Sequence, residues 1–252
     1  MSENQSQSLD VLGIKPVGEA ITTAVKGTVD GAAAFLSRIC LPAAEEFGLL
    51  LRDRVSHWRT QNLIKIAEKT ERKLGPTPDA AHMHAHPRLV HLTLENGSWA
   101  DTDELQEMWA GLLASACTID GKDESNLIFV NLLSQLTSIQ VKVLNYGCEN
   151  SEKRVSRKGE LRAHYLYIRL EDLQILTNEQ DYHRLDRELD HLKTLGLIDG
   201  GIYRDSDTAG VQPTPLGLHL YVKCQGSSKS PVEYFNLTMW QEPSFKKAET
   251  NV

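Results

Sequence analysis

The stretch that decides the fold is residues 181–220, DYHRLDRELDHLKTLGLIDGGIYRDSDTAGVQPTPLGLHL. Tyr182, Leu185, Leu189 and Leu192 recur at three- and four-residue intervals, which places them on one face of an α-helix. Gly196 follows, where a helix can end in the left-handed conformation that glycine adopts without strain. Leu197-Ile198 and Ile202-Tyr203 read as extended, joined near Gly200-Gly201, and Val211 begins a return strand. Thr214-Pro215 then caps a closing helix that aligns Leu216, Leu220 and Cys224. Upstream, residues 125–136 form an apolar helix, Ser138 to Tyr146 a short one, and Leu170 to Leu176 another. Three short helices, a β-hairpin and a closing helix are the order of a winged helix-turn-helix.

The first half has a different texture. Residues 1–15 are polar and expected to be disordered. Pro16 opens a Gly/Ala-rich helical pattern over 16–41, and Pro42 a second that carries Phe47, Leu50, Leu51, Val55, Trp58, Leu63 and Ile66 to a stop at Gly75-Pro76. A His-rich loop and a short apolar segment, Leu89 to Leu94, come next. Asp101 and Glu104 have capping-box spacing before a helix with Met108, Trp109, Leu112 and Leu113. The expected fold is therefore mainly α: a helical domain over 16–122, a winged-helix-like domain over 123–225, and a tail over 226–252 that partly docks through its aromatics.

Composition narrows the function. The 252 residues are 40% hydrophobic and 24% charged, as in ordinary globular proteins. A net charge of −7 opposes broad affinity for nucleic acid or anionic lipid. Four scattered cysteines without a CxxC pair argue against a disulfide scaffold and suit the cytoplasm. The first ten residues lack an apolar signal core, and no run of about 18 apolar residues exists to span a bilayer. Phosphate loop, HExxH, GxSxG and dinucleotide fingerprints are absent, so no enzyme and no cofactor are expected. His82, His84 and His86 would share a face only in extended chain, and no carboxylate or cysteine stands at clear ligand spacing, so no metal is assigned.

Three surfaces remain. The helix over 181–193 carries four acids against Arg184, Arg187 and Lys193, a balance better suited to a protein partner than to a DNA groove. Lys153, Arg154, Arg157, Lys158, Arg162 and Arg169, less Glu160, give a loop of net +5 beside Tyr165 and Tyr167. This loop is the alternative, a nucleic-acid contact with steep salt dependence, disfavoured by the global charge. Gly18, Gly27 and Gly31 make a small-residue seam that a membrane-acting toxic effector would use. Lys26, Asp30 and Arg38 interrupt it, so close helix packing is the plainer reading. Residues 52–73 carry net +4 and residues 95–124 net −7, so these segments can meet within the chain or between subunits. Trp58 and Trp109 are expected in the core.

Four blocks carry a family resemblance: Pro42-Ala43-Ala44-Glu45-Glu46-Phe47-Gly48 with Trp58-Arg59 and Asn62; Glu104-Leu105-Gln106 leading to Trp109 through Ala116; Leu192 to Ile198; and Thr214-Pro215-Leu216-Gly217. Together, over roughly residues 16–225, they resemble the Abi-alpha family of bacterial abortive-infection proteins. The family pattern has Asn at the place of Gly111. The resemblance implies a bacterial protein acting against phage and supplies no catalytic motif. The expected function is a non-enzymatic interaction protein working through a protein partner or self-association.

Overall fold

The computed structural model describes residues 23–40, 56–76, 82–203 and 206–238. The starts expected at Pro16 and Pro42 lie outside these residues, as do Trp240 and Phe245 of the tail. The described chain is mostly helical with two small antiparallel sheets. Helix α1 (Thr23–Ile39) packs on α2 (Ser56–Leu74), α2 lies along α4 (Asp103–Ser115), and α3 (Pro87–Gly97) contacts both α2 and α4. After α5 (Leu127–Leu133) and α6 (Ser138–Asn150), strands β1 (Lys153–Val155) and β2 (Leu161–Ala163) pair as a hairpin. Strand β3 (Tyr167–Arg169) leads into α7 (Leu170–Thr177) and α8 (Tyr182–Thr194). Strands β4 (Ile198–Tyr203) and β5 (Thr208–Pro213) complete a sheet of order β3-β5-β4. Helix α9 (Pro215–Cys224) and the short α10 (Pro231–Tyr234) close the described chain.

Local chemistry sets the ends of these elements. Helix α8 starts at Asp181, whose carboxylate accepts the His183 N–H at 2.9 Å. It ends at Gly196, φ +69°, with Leu197 N–H donating to Leu192 O and Gly196 N–H to Lys193 O, a complete Schellman closure. The α4 cap is Thr102, which accepts the Leu105 N–H at 3.4 Å; the expected Asp101 stands one residue too early. The run Leu89–Leu94 is helical, started by Pro87 with His86 as cap. Strand β4 runs straight through Gly200-Gly201 and the return strand begins at Thr208, so the hairpin turn falls after Tyr203.

Helix α4 is the axis of the packing. It is buried from Met108 to Ser115. Met108, Trp109 and Leu112 join a core that reaches Leu185, Leu189, Leu218 and Cys224. Leu113 joins a second cluster with Phe35, Leu36, Leu63 and Val90. A Cβ at Gly111 would collide with the Cys224 carbonyl, so glycine alone lets α4 and α9 cross this closely. An Asn there would force α9 away. Beyond α9, the rings of Tyr234 and Phe235 lie against Tyr221 at 6.5 and 6.2 Å.

Candidate functional site

Helix α8 buries Leu185, Leu189 and Leu192, but Tyr182 is exposed and Glu188 takes the fourth inward position. Glu188 is 7% exposed. Its carboxylate accepts the Thr137 hydroxyl at 2.9 Å, and its backbone carbonyl accepts the Gln140 amide at 3.3 Å. Gln140 and Thr137 also form the capping box of α6, so one polar network fixes the start of α6 against α8. Pattern reading missed it because Glu188 counts only as a charge until its partners on α6 are known.

The three cations expected on this helix are exposed and do not converge. At about 100° per residue, Arg187 lies about 60° from Arg184 and Lys193 about 180° from it. Arg184 pairs with Glu179 at 2.7 Å, and Arg187 reaches the Glu188 carboxylate at 3.6 Å. Between the two flanks the solvent face presents His183, Asp190 and Thr194, a mixed surface without a cationic focus.

The basic stretch is a β-hairpin rather than a loop. Its register sets Arg154 directly opposite Arg162. Like charges so placed repel, and each has a local carboxylate: Arg154 binds Glu152 at 2.8 Å and Arg162 binds Glu160 at 2.8 Å. Arg169 pairs with Asp172 at 2.8 Å. Lys153 lies over the Phe235 ring at 4.6 Å, and its burial there lowers its pKa. Arg157 and Lys158 occupy the exposed tip. Over residues 149–172 six bases meet five acids, so the expected +5 shrinks to +1.

The opposite charges of 52–73 and 95–124 meet inside the chain. Lys69, nearly buried, holds the Asp103 carboxylate and binds Glu107 at 3.0 Å; Lys73 binds Glu107 at 3.0 Å. Arg59 lies 3.3 Å from Glu95 and 4.5 Å over the Trp99 ring. The Lys69 hydrogen bond pulls the Asp103 pKa down. Burial pushes the Glu107 pKa up, but Lys69 and Lys73 together outweigh it and the net movement is downward. A cleft of about 210 Å³ opens beside this cluster, lined by Lys73, Glu104, Glu107, Asn145 and Gln225 among others.

The sequence model of the abortive infection alpha family matches residues 59–219, from the cluster on α2 through the hairpin and α8 into α9. The chain belongs to that family. No curated protein and no solved structure matches it. In this member of the abortive infection alpha family, no described helix is long and apolar enough to cross a membrane.

Two of the clustered histidines of this family member make local contacts. His84 Nδ1 lies 3.1 Å from the Arg38 carbonyl, while the His84 backbone bridges Thr118. His86 Nδ1 accepts the Arg88 N–H. Among the described residues no group of three His, Cys, Asp or Glu is placed to hold a metal ion. All four cysteines are buried, and desolvation pushes the Cys117 thiol up to about 12. Such a thiol stays protonated at neutral pH. Trp109 is in the core, but Trp58 is not: it is 45% exposed and faces Trp99 at 6.1 Å between ring centres. It lies about 140° around α2 from the buried Leu63.

Proposed function

We propose that this chain acts in abortive infection, as a phage-defence protein, through non-enzymatic contact with a protein partner. Family membership supplies the biological setting. The observation that carries the mechanism is the solvent face of α8. Its cations are split between two flanks with Asp190 between them, and Arg184 and Arg187 are each paired with a carboxylate, Glu179 and Glu188, which suits the alternating charges of a protein surface better than a row of phosphates. We read the unit from α6 to β5 as a winged helix with the β1–β2 hairpin inserted after its first helix, supported by the run strand-helix-helix-hairpin from β3 to β5 and by the sheet order β3-β5-β4. In that reading α8 is the contact helix.

The test is capture of partners by tagged protein from infected and uninfected bacteria, with nuclease in half of the samples. The expected result is a protein that survives nuclease and is lost when Arg184, Arg187 and Lys193 are all changed to Glu, with the thermal melt of the chain unchanged. Arg184→Glu alone and Lys193→Glu alone then show which flank of α8 makes the contact. Undiminished capture by the triple variant would remove α8 from the mechanism.

A further inference from the structure

The aromatic side chains of the three-stranded sheet are placed where a core has no use for them. Tyr165, Tyr167 and Tyr203 are 75%, 54% and 41% exposed. Strand register pairs Tyr167 with Gly210 and Tyr203 with Thr208, so both tyrosines share the outer face of the sheet. Ile168, Ala209 and Val211 alternate with them and fill the inner face. Gly210 has no side chain to separate its neighbours, and the two rings meet across it at 5.8 Å. Tyr165 lies nearly parallel to Tyr167, with 6.5 Å between centres and 12° between planes. The result is a short column of rings, tilted by 57° between Tyr203 and Tyr167, that ends in the exposed ring of Tyr165.

One cation shares the face of the column: Arg169 follows Tyr167 on the same face of β3. A second, Arg162, is near in the chain, three residues before Tyr165. Both are exposed, and their bonds to Asp172 and Glu160 are surface ion pairs. Pairs of this kind contribute little, so a phosphate can replace the carboxylate at small cost. We propose that this face is a second binding site, independent of α8, for a single-stranded polynucleotide whose bases extend the tyrosine column and whose phosphates exchange onto Arg162 and Arg169. Stacking on tyrosine works for any base, because every base has a π-face. A duplex is a poor ligand, since its base faces are already covered. Counted with the flanking acids, residues 149–172 carry only +1, so the contact depends on rings more than on the ionic field. This differs from the steep salt dependence expected of an unpaired basic loop. The exposed rings and nearby cations match repeated flat bases and phosphates, which a peptide segment does not offer in series.

The experiment measures fluorescence anisotropy of labelled oligo(dT) and oligo(U), each about 12 nucleotides, and of a duplex of the same length, with the full chain. Both single strands should bind, the duplex at least about tenfold more weakly. Tyr165→Ala should weaken binding by about tenfold or more, while Tyr165→Phe keeps it. The log–log salt slope should have a magnitude of about 2 or less, as for two or three phosphates. A difference between the two oligonucleotides assigns the source as DNA or RNA. Tyr165 is so exposed that the alanine variant should melt with the parent, which separates binding from folding. The proposal is overturned by no signal up to about 100 μM protein, by equal affinity for the duplex, or by full binding in Tyr165→Ala. Loss of a nuclease-resistant protein partner in Tyr165→Ala, with no oligonucleotide bound, would assign the face to protein instead.

Discussion

The same chemistry, a basic side chain against a carboxylate, occurs in two settings in this molecule. Between α2 and α4, the Lys69 side chain is 8% exposed and shared by Asp103 and Glu107. On the β1–β2 hairpin, the Arg162 side chain is 73% exposed and bound to a neighbour two residues away in sequence. The first arrangement joins segments that are distant in the chain, and it loses a partner to a buried ammonium if either helix shifts. The second joins a strand to its own turn and is open to water. The inner cluster therefore fixes how helices pack, while the outer pairs leave the surface free to exchange ligands.

That contrast can be broken at its strongest point. Lys69→Ala should destabilise the chain by about 2 kcal/mol in urea unfolding, less than for a fully buried pair because Asp103 and Glu107 still reach water. A loss under about 0.5 kcal/mol would place Lys69 with the hairpin arginines. Acid sharpens the same point. Lys69 holds the Asp103 pKa, and Lys69 with Lys73 the Glu107 pKa, below their ordinary values of 3.8 and 4.5. Groups depressed in the folded state stabilise it above their unfolded pKa values, and that contribution is lost as pH falls through the folded ones. The stability gap between the parent and Lys69→Ala should then be full at neutral pH and shrink below about pH 4; urea titrations across that range measure it. The smallest effect belongs to the hairpin. A double-mutant cycle on Arg162 and Glu160 should give a coupling of about 0.5 kcal/mol or less, vanishing in high salt.

Much of this was legible in sequence because it is local. The period of α8, the glycine after it and the Thr214-Pro215 cap need only a few neighbouring residues, and the structure keeps all three. The meeting of 52–73 with 95–124 was readable as complementary charge. The choice of Lys69 as its centre was not, since that depends on how α2 and α4 pack. Strands β1 and β2 have three residues each, too short for an alternation to stand out, so the hairpin read as loop. Trp58 was misplaced because a long apolar list hides which residues lie off the buried stripe. The tyrosine column was out of reach: Tyr203 meets Tyr167 only through strand pairing across Gly210.

The dual packing of α4 has a consequence for how the chain comes apart. Its Trp109 and Leu112 share a core with Leu189 and Leu218, far along the sequence. Neither half could melt without stripping apolar cover from the other. A single cooperative transition is expected, with calorimetric and van't Hoff enthalpies in agreement. A protease cut in the polar turn at 118–124 should leave two fragments that hold together until denaturant parts them.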